Sequence, residues 1–488
     1  MAGTLGYVVI VALSFAARTV LVRSVDEAHL GLNAIVLNLV SLISVAEAGI
    51  ATAAAFRLYK PLSQGALNQI ASWVSAARSL YHIALIAIGA LGALSILVFG
   101  MTFERLGFDL SYTVAVGAIA TGTALSSCVL ASEKVLLLAD QKAHVVVAAQ
   151  CVSFFVQTGA QVIALLVFDS FLLFLASAAG GMLLWNWLCA LYVRRHYTLY
   201  EHAVCVHEEH SLLQRDVLDL LPYKIGAVGL NATDAIIIAL VLSSTLAGIV
   251  SNFTLIVNSL NGVLMQGFNG IAASIGLHNA DSDMQRRSAV FYQLSSLGMW
   301  VFGAAAICLT LLLNPFVELW IGSSYLLSRT EVVALAGAFF VTGANQVPSL
   351  YRSSLGIFRR TRFVPVIATV VNLALSVGLA LWIGLVGVFL GTILARGLTF
   401  SVVDPYLVSR TALSTRFRDY LGHYAHSLLG VVCLGIVLNL WWGFVYTPGV
   451  LTFIAWGGII ATTAFLGLAL WLSFTSHFRQ ILSRIWER

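Results

Sequence analysis

The sequence predicts an all-α polytopic membrane protein with about 14 transmembrane helices, arranged as two pseudo-symmetric six-helix lobes plus two C-terminal helices. Three observations lead to this fold class. Of the 488 residues, 60% are hydrophobic and only 10% are charged, a composition that suits lipid rather than water as the solvent. About fourteen apolar runs reach the roughly 20 residues that a helix needs to cross the hydrocarbon. Lys and Arg lie mostly in alternate loops between these runs.

The apolar runs define the predicted spans in order. Each run is long and continuous, which favours helices because a helix satisfies its own backbone hydrogen bonds inside lipid. The least certain division is between the eleventh and twelfth spans, where only Gly384 and its neighbours separate the two runs. The predicted spans are 5–23, 30–56, 79–101, 111–132, 143–168, 170–193, 223–243, 246–276, 289–314, 330–350, 363–383, 385–408, 422–442 and 449–474.

The cations predict the topology. If the loops after even-numbered spans and the C-terminus lie on one side, that side holds 21 of the 26 Lys and Arg residues. The positive-inside rule then places both termini in the cytoplasm. The net charge of +5 fits contact with anionic membrane lipids and does not imply nucleic acid. The exceptions are Arg18, Arg23, Arg105 and Arg329 on the outer side, and Arg396 within a span.

A weak internal repeat predicts the domain organisation. Gly31 opens the second span and Gly248 the eighth, and Gly49-Ile50-Ala51 resembles Gly270-Ile271-Ala272. Six helices per repeat give both copies the same orientation, with a site between them. We therefore expect an N-lobe at 1–200 with helices 1–6, a cytoplasmic linker at 201–222, a C-lobe at 223–410 with helices 7–12, and helices 13–14 with a cytoplasmic tail at 411–488.

Other features limit the function classes. We expect no cleavable signal peptide, since no basic segment or small-residue cleavage site accompanies the first run. The six cysteines are scattered, so no disulfide framework is predicted. His202, Cys205, His207 and His210 lie among acidic residues at no recognisable ligand spacing, so a solvated linker is favoured over a metal site. No external loop is large enough for a catalytic domain, which argues against an enzyme, and no cofactor is implied.

Two carboxylates in or near the predicted spans suggest ion coupling. Asp234 sits about 11 residues from each end of the seventh predicted span, too deep for a short side chain to reach the interface. Asn231 lies one turn away on the same face. Asp234 either binds a proton or cation, or hydrogen-bonds to a neighbouring helix. Glu47, near the cytoplasmic end of the second span, is either functional or merely interfacial.

Three Arg residues do not follow the positive-inside distribution, because they lie within a predicted span or at its outer end. Arg18 lies about five residues from the outer end of the first span, and Arg23 lies at that end, so both can extend toward the interface. Arg18 is the deeper of the two and is expected to face a hydrated cavity. Arg396 either lines the cavity or pairs with a carboxylate such as Asp404, which is far for a direct contact.

Uncharged amides form stripes along three predicted helices. Either they hold helices together across the bundle, or they line a hydrated cavity. Amides with a few cations suit a ligand that carries many hydroxyls and an anionic group. The fifth span carries Gln150, Gln157 and Gln161 on one face; the eighth carries Asn258, Asn261, Gln266 and Asn269 within an arc of about 140°; the second carries Asn33, Ser44 and Glu47 on one face.

Short motifs in order along the chain resemble the polysaccharide or oligosaccharide flippase (polysaccharide biosynthesis transporter) family of the MOP (multidrug/oligosaccharidyl-lipid/polysaccharide) exporter superfamily. The resemblance runs from the first span to about Ser409. Each motif is weak alone, and together they are specific. They are Arg18-Thr19, Leu30-Gly31-Leu32-Asn33, Ala46-Glu47-Ala48-Gly49-Ile50, Leu58-Tyr59-Lys60-Pro61-Leu62, Leu137-Leu138-Ala139-Asp140-Gln141, Asn231 with Thr233 and Asp234, Ser274-Ile275-Gly276, Pro315-Phe316, Leu319-Trp320-Ile321-Gly322, Arg352 with Gly356, Asn372-Leu373 with Ser376, and Gly387-Val388 with Leu390-Gly391-Thr392.

The resemblance implies transport of a polyprenyl-diphosphate-linked oligosaccharide from the cytoplasmic to the outer leaflet of a bacterial cell (inner) membrane. Substrate contacts are then expected from Arg18, Arg23, Arg352, Arg396 and the amides at 33, 150, 157, 161, 258 and 261, and coupling to H⁺ or Na⁺ from Asp234, Asn231 and Glu47. Polysaccharide polymerase or glycosyltransferase partners are compatible with this role. Departures are Asp26, where the family usually has Gly, Ala28 in place of an acid, and Arg396, where small or hydroxyl residues are common.

Two alternative functions stand beside this prediction. The first is a drug/cation antiporter of the related multidrug-and-toxin extrusion family, which would be expected to carry more intramembrane carboxylates and fewer cations. The second is a membrane glycosyltransferase or polysaccharide polymerase, which would be expected to carry a sizeable external loop with catalytic carboxylates.

Overall fold

The computed structural model describes residues 2–105, 109–197, 207–281, 283–355, 357, 361–445, 449–475 and 478–479. Every regular element within these ranges is helical, which confirms the predicted fold class. The chain forms two compact units, Met1–Ser251 and Asn252–Arg488, and each is described by itself below.

The first unit contains nine complete helices among its described residues and the start of a tenth. Most are apolar runs of 17 residues or more, as the sequence predicts. Their bounds are α1 Ala2–Ser24, α2 Glu27–Ile43, α3 Ile50–Gln64, α4 Leu67–Arg105, α5 Leu110–Cys128, α6 Ala131–Ala139, α7 Ala143–Leu166, α8 Phe171–His196, α9 His207–Ile237 and the first residues of α10 Ser244–Asp281.

Two predicted spans of this unit are interrupted. The second span is not one helix over 30–56, because α2 ends at Ile43 and a 3₁₀ turn, Ser44–Glu47, separates it from α3. The fourth span bends by 44° between α5 and α6, where Val129 is extended and Leu130 has a left-handed φ of 57°. Hydropathy does not register such breaks, because the residues on both sides are equally apolar.

Helix α9 begins much earlier than the sequence predicted. The predicted span started at 223 and left 201–222 as a linker, but α9 already runs from His207. Leu213 is fully buried, and Val217 and Leu220 pack beside Gly49. This spacing places an apolar stripe on one face of an otherwise polar helix. A search for continuous apolar runs misses such a stripe, and the same reason explains why α4 begins at Leu67 rather than 79.

Ion pairs connect helices of the first unit. Arg57 Nε on α3 lies 2.6 Å from Asp216 Oδ2 on α9. Arg78 on α4 lies 2.8 Å from Glu133 Oε1 on α6, and the Glu133 side chain is 1% exposed. Both pairs involve the polar helical extensions that lie outside the predicted spans or beyond the α5–α6 bend.

The second unit contains the rest of α10 and eight further helices among its described residues. Two predicted spans are again interrupted, at Asn345 between α12 and α13 and at Thr399 between α15 and α16. The bounds are α11 Met284–Ile321, α12 Arg329–Ala344, α13 Gln346–Ser354, α14 Val364–Ile383, α15 Leu385–Leu398, α16 Phe400–Ala412, α17 Phe417–Val445 and α18 Val450–Leu472.

The two C-terminal helices are packed firmly into the second unit. Ile307 and Leu311 of α11, Leu438 of α17, and Ile460 and Leu468 of α18 form one buried apolar cluster. Gly384, with a φ of 65°, makes the tight turn between α14 and α15, so the eleventh and twelfth predicted spans are separate helices.

The span count agrees with the sequence. Within the described ranges, thirteen helices are long and apolar enough to cross a membrane, and the bent α5–α6 pair makes a fourteenth. The protein is therefore a multi-pass membrane protein. The compact units divide within α10, whereas the predicted lobes divide before 223; the two six-helix lobes remain a prediction.

Candidate functional site

Arg18 is held inside the first unit. Its side chain, on α1, is 8% exposed, and one guanidinium nitrogen donates to the carbonyl of Gly248 at 3.2 Å and also to the Ser251 hydroxyl. Arg18 therefore joins α1 to the start of α10. By contrast Arg23, in the last turn of α1, is exposed.

The α2–α10 contact beside Arg18 leaves no room for side chains. A Cβ on Gly31 would lie 2.2 Å from the Ser244 carbonyl oxygen, and a Cβ on Gly248 would lie 2.7 Å from the Gly31 nitrogen. Real Cβ atoms do not come this close to backbone, so glycine is required on both helices. The two residues that suggested the internal repeat thus face each other, and Asn33 is buried on the same helix as Gly31.

Asp234 lies on α9, which is longer than the seventh predicted span. It is therefore not at the midpoint of the helix, as the sequence predicted. Because the membrane-crossing segment runs from Glu208 to Leu242, Asp234 lies in its last third, just before the π-helical turn Ile238–Leu242. Its side chain is partly buried. Asn231 is exposed and donates to the carbonyl of Ala227 at 2.8 Å.

The amides of α7 divide between packing and partial exposure. Gln161 is buried and Gln150 is partly buried. Gln157 packs against α8, since a Cβ on Gly181 would meet its Oε1 at 2.3 Å. At this position the amide contributes to a helix–helix contact, which is the structural alternative left open by the sequence.

The amides of α10 face outward more than those of α7. Asn258 and Gln266 are exposed and Asn261 is partly buried, whereas the side chain of Asn269 lies outside the described residues. Asn258, Asn261 and Gln266 belong to the second unit, while Arg18 belongs to the first.

Glu47 sits where two interrupted helices of the first unit meet. It ends the 3₁₀ turn after α2, opposite the C-terminal end of α5. Its Oε1 lies 2.6 Å from the Ser127 hydroxyl and its Oε2 lies 3.1 Å from the Cys128 sulfur. Lys134 on α6 interacts with it electrostatically. The side chain is partly buried.

The end of α5 is fixed from a third helix. Asn186 on α8 is fully buried and donates to the carbonyls of Ser126 and Ser127 at 3.2 and 3.1 Å. These two carbonyls belong to the last turn of α5, where helical partners are missing. Asn186 was not recognised in the sequence as a site residue.

Arg352 is enclosed in the second unit. The Arg352 side chain on α13 is 2% exposed, and its Nε lies 3.5 Å from Oδ1 of Asp404 on α16, which is 0% exposed. Asn345, at the α12–α13 break, donates to Asp404 Oδ2 at 3.2 Å. Sequence reasoning considered Asp404 only as a partner of Arg396, although an acid within an apolar span was itself a signal. Arg396 is partly buried near the end of α15.

A second polar network of this unit contains motif residues. Asn372 on α14 donates to the Thr392 hydroxyl at 2.9 Å, and Ser376 lies within hydrogen-bond distance of Asn372 Oδ1 and the Val388 carbonyl. Position 391 requires glycine, because a Cβ there would lie 2.3 Å from Ser376 Oγ. These motif residues join α14 and α15 into one hairpin.

Asp140 forms a polar cluster outside the spans. It accepts a hydrogen bond from the Tyr197 hydroxyl, and its Oδ2 lies 3.0 Å from Lys142 Nζ. Burial alone would raise the pKa of Asp140, but the hydrogen bonds from Tyr197 and Lys142 outweigh burial and lower the pKa. His202, Cys205 and the His207 side chain lie outside the described residues. Among the described residues no group of His, Cys, Asp and Glu side chains could hold a metal ion.

The fold has clear relatives among solved structures. A lipid II flippase, MurJ, in an inward closed conformation aligns with a TM-score of 0.64 at 12% identity, covering 98% of this chain and 99% of that one. An inward-facing multidrug resistance MATE family transporter of the MOP superfamily aligns at 0.61 and 11% identity, covering 83% and 98%. The eukaryotic MATE transporter AtDTX14 aligns at 0.57 and 13%, covering 82% and 93%.

Sequence comparison adds no closer relative. No family model matches the chain and no curated protein sequence matches it. The structural likeness, at these identities, concerns the arrangement of helices. This chain therefore shares the helical fold of these transporter structures.

Proposed function

We propose that the protein transfers a polyprenyl-diphosphate-linked oligosaccharide from the cytoplasmic to the outer leaflet of the bacterial inner membrane, for cell-surface polysaccharide biosynthesis. The sugars and diphosphate cannot cross hydrocarbon unaided, since each unsatisfied polar group costs several kcal/mol. A transporter that shields the head group while the lipid tail stays in the bilayer removes this barrier. Alternating access of the two predicted lobes provides the movement.

The observation that carries the proposal is the placement of Arg18. A guanidinium within an apolar span is costly and marks functional sites by default. The fork of an Arg side chain suits phosphate oxygens, and Arg23 lies at the outer end of the same helix. Arg396 and Arg352 complete the proposed set of substrate-binding cations, although Arg352 already has Asp404 as a partner.

The remaining predicted residues take supporting roles. Amides at 33, 150, 157, 161, 258 and 261 are proposed to meet sugar hydroxyls, while Asp234, Asn231 and Glu47 bind the H⁺ or Na⁺ that resets the cycle. In this proposal both termini lie in the cytoplasm, and anionic lipids contact the cytoplasmic face of the protein. A polysaccharide polymerase or glycosyltransferase is the expected functional partner. Structural likeness to a lipid II flippase over 98% of the chain supports a lipid-linked substrate.

The second candidate function is a multidrug or cation antiporter. It is favoured by the likeness to MATE transporters, which covers 82–83% of this chain in the two examples above. The discriminating feature is charge. A site for cationic drugs needs exposed carboxylates, whereas the cations of α1 suit an anionic head group.

The function is tested by following the lipid-linked intermediate in a deletion strain. A flippase deletion accumulates lipid-linked repeat units in the inner leaflet, a polymerase deletion accumulates them in the outer leaflet, and a drug-pump deletion accumulates none. Inner-leaflet accumulation supports the proposal, and either other result overturns it.

The site assignment is tested in the complemented strain. We expect Arg18→Ala and Asp234→Asn to abolish polymer export at normal protein levels, and Arg18→Lys to restore it only partly because Lys lacks the fork. Arg195→Ala and Asp109→Asn, at exposed positions, are the matched controls. Wild-type export by both Arg18→Ala and Asp234→Asn contradicts the assignment.

A further inference from the structure

Lys134 lies inside a membrane-crossing segment, although the predicted fourth span ends at 132. It belongs to α6, which forms the bent fourth span together with α5. Its side chain is partly buried, and its Nζ lies 4.4 Å from the centroid of the Trp185 ring on α8. That ring is itself held in place, because Trp185 Nε1 donates to the Val146 carbonyl at 3.1 Å. The first unit therefore holds a Lys ammonium at a defined position within the membrane.

Lys134 differs from the paired cations of the same unit. Arg57, Arg78 and Lys142 each lie 2.6–3.0 Å from a carboxylate oxygen. Among the residues that the structure describes, the Lys134 ammonium makes no hydrogen bond and no such contact, and the carboxyl group that attracts it is Glu47. An aromatic ring attracts a cation but offers no lone pair in the plane of a normal acceptor. The N–H donors of Lys134 are therefore available to a ligand.

Glu47 has acceptor capacity to match. Its oxygens contact the Ser127 hydroxyl and the Cys128 sulfur rather than Lys134, and a carboxylate can accept about four hydrogen bonds. Lys134 and Glu47 are both partly exposed, and charged side chains within membrane-crossing segments face water-filled space rather than lipid. Because the two groups also interact electrostatically, a separated donor and acceptor border one hydrated region of the first unit.

We propose that Lys134 and Glu47 form a subsite for the sugar of the lipid-linked substrate. A sugar hydroxyl can accept from Lys134 and donate to Glu47 at the same time, so it fits between a donor and an acceptor that do not touch. The diphosphate fits less well, because the Glu47 carboxylate repels an anion. The inference rests on the proposed function for the identity of the substrate. The H⁺ or Na⁺ proposed above and the sugar then compete for the oxygens of Glu47.

The first experiment measures whether water reaches Lys134. The full-length protein in lipid nanodiscs is treated with a water-soluble, amine-reactive acetylating reagent, and each of its four Lys residues is quantified by peptide mass spectrometry. We expect Lys134 to be acetylated more slowly than the exposed Lys60, because Lys134 is partly buried. A Lys134 that stays unmodified when Lys60 is fully modified overturns the proposal.

The second experiment determines which part of the substrate covers Lys134. The probes are undecaprenyl diphosphate without sugar and the lipid-linked oligosaccharide extracted from the deletion strain. We expect the sugar-bearing lipid alone to slow the acetylation of Lys134, and neither lipid to protect Lys60. Equal protection by undecaprenyl diphosphate would assign Lys134 to the phosphates and overturn the sugar assignment. Absence of protection by both lipids overturns it as well.

Variants at this position measure the contribution of the ammonium. Lys134→Gln should weaken binding of the sugar-bearing lipid by about tenfold, the effect of losing one hydrogen bond to a charged group, and leave binding of undecaprenyl diphosphate unchanged. Lys134→Arg keeps a charge with N–H donors and should retain most of the affinity. Lys60→Gln is the matched control, and equal affinities of Lys134→Gln and Lys60→Gln contradict the proposal. If thermal unfolding shows that Lys134→Gln does not fold, the acetylation experiments on the wild-type protein decide.

The outcomes separate this inference from the proposed function. If the deletion strain accumulates no intermediate in the inner leaflet, the proposed function fails and the sugar assignment fails with it, whereas the access of water to Lys134 is measured independently. If the intermediate accumulates but does not protect Lys134, the function stands and this inference fails.

Discussion

At the residue scale, buried charged side chains of the second unit pair with residues that a hydropathy pattern cannot identify as their partners. Arg352 and Asp404 lie 52 positions apart in sequence and pair within the unit with 2% and 0% of their side chains exposed. The sequence showed that each was unusual in an apolar span, but not that they would meet. That depends on the packing of α13 against α16, which no local pattern encodes.

We expect Arg352→Ala to destabilise the protein by about 3–5 kcal/mol, since it leaves a buried carboxylate without its ion-pair partner. The measurement is denaturant unfolding of the purified protein in micelles. Arg410→Ala is the control, because Arg410 is exposed and only donates to the Tyr406 hydroxyl. Equal stability of the two variants would mean that Asp404 does not depend on Arg352.

A double variant separates stability from substrate binding at this position. Replacing Arg352 and Asp404 together by apolar residues removes both charges, so most of the lost stability should return. If export remains absent in the stable double variant, Arg352 or Asp404 has a role in transport beyond the ion pair.

At the element scale, the sequence located apolar spans well and helix boundaries poorly. Hydropathy measures average composition, so it registers neither the turn at Ser44–Glu47 nor the bend after Cys128. It also missed the amphipathic start of α9, whose buried stripe alternates with charged residues. Glu47 and Asn345 both lie at helix interruptions. Sequence reasoning therefore missed the breaks in the helices that position these two residues.

We expect Gly31→Ala to destabilise the first unit by about 1–3 kcal/mol, the usual effect of forcing an extra methyl group into a packed contact. The backbone of Ser244 cannot move aside as a flexible side chain would. Thermal unfolding in micelles measures the effect, with Gly89→Ala as control because no atom lies within 4 Å of its added Cβ. An equally stable Gly31→Ala protein would show that α2 and α10 are farther apart than described.

At the scale of the whole molecule, the sequence predicted the fold class and number of spans because both follow from the amount and distribution of apolar residues. The arrangement of the charged and amide side chains could not be predicted, since it depends on contacts between helices distant in sequence. The direction in which the chain crosses the membrane remains a prediction from the cations.

We expect opposite faces of the membrane to carry Gln64 and Ser324. Both residues are exposed, and the cation distribution places Gln64 in the cytoplasm and Ser324 outside. In a cysteine-free background, a membrane-impermeant thiol reagent applied to intact cells should label Ser324→Cys and spare Gln64→Cys until the cells are opened. The reverse labelling would invert the topology.

The thiol beside Glu47 has a practical consequence. Cys128 is 3% exposed, and its sulfur lies 3.1 Å from Glu47 Oε2, where the 3₁₀ turn after α2 meets the end of α5. In a variant that keeps Cys128 as its one cysteine, the rate of thiol alkylation therefore measures how often this buried contact opens. The protein therefore carries, at a helix interruption, a thiol that can report local opening.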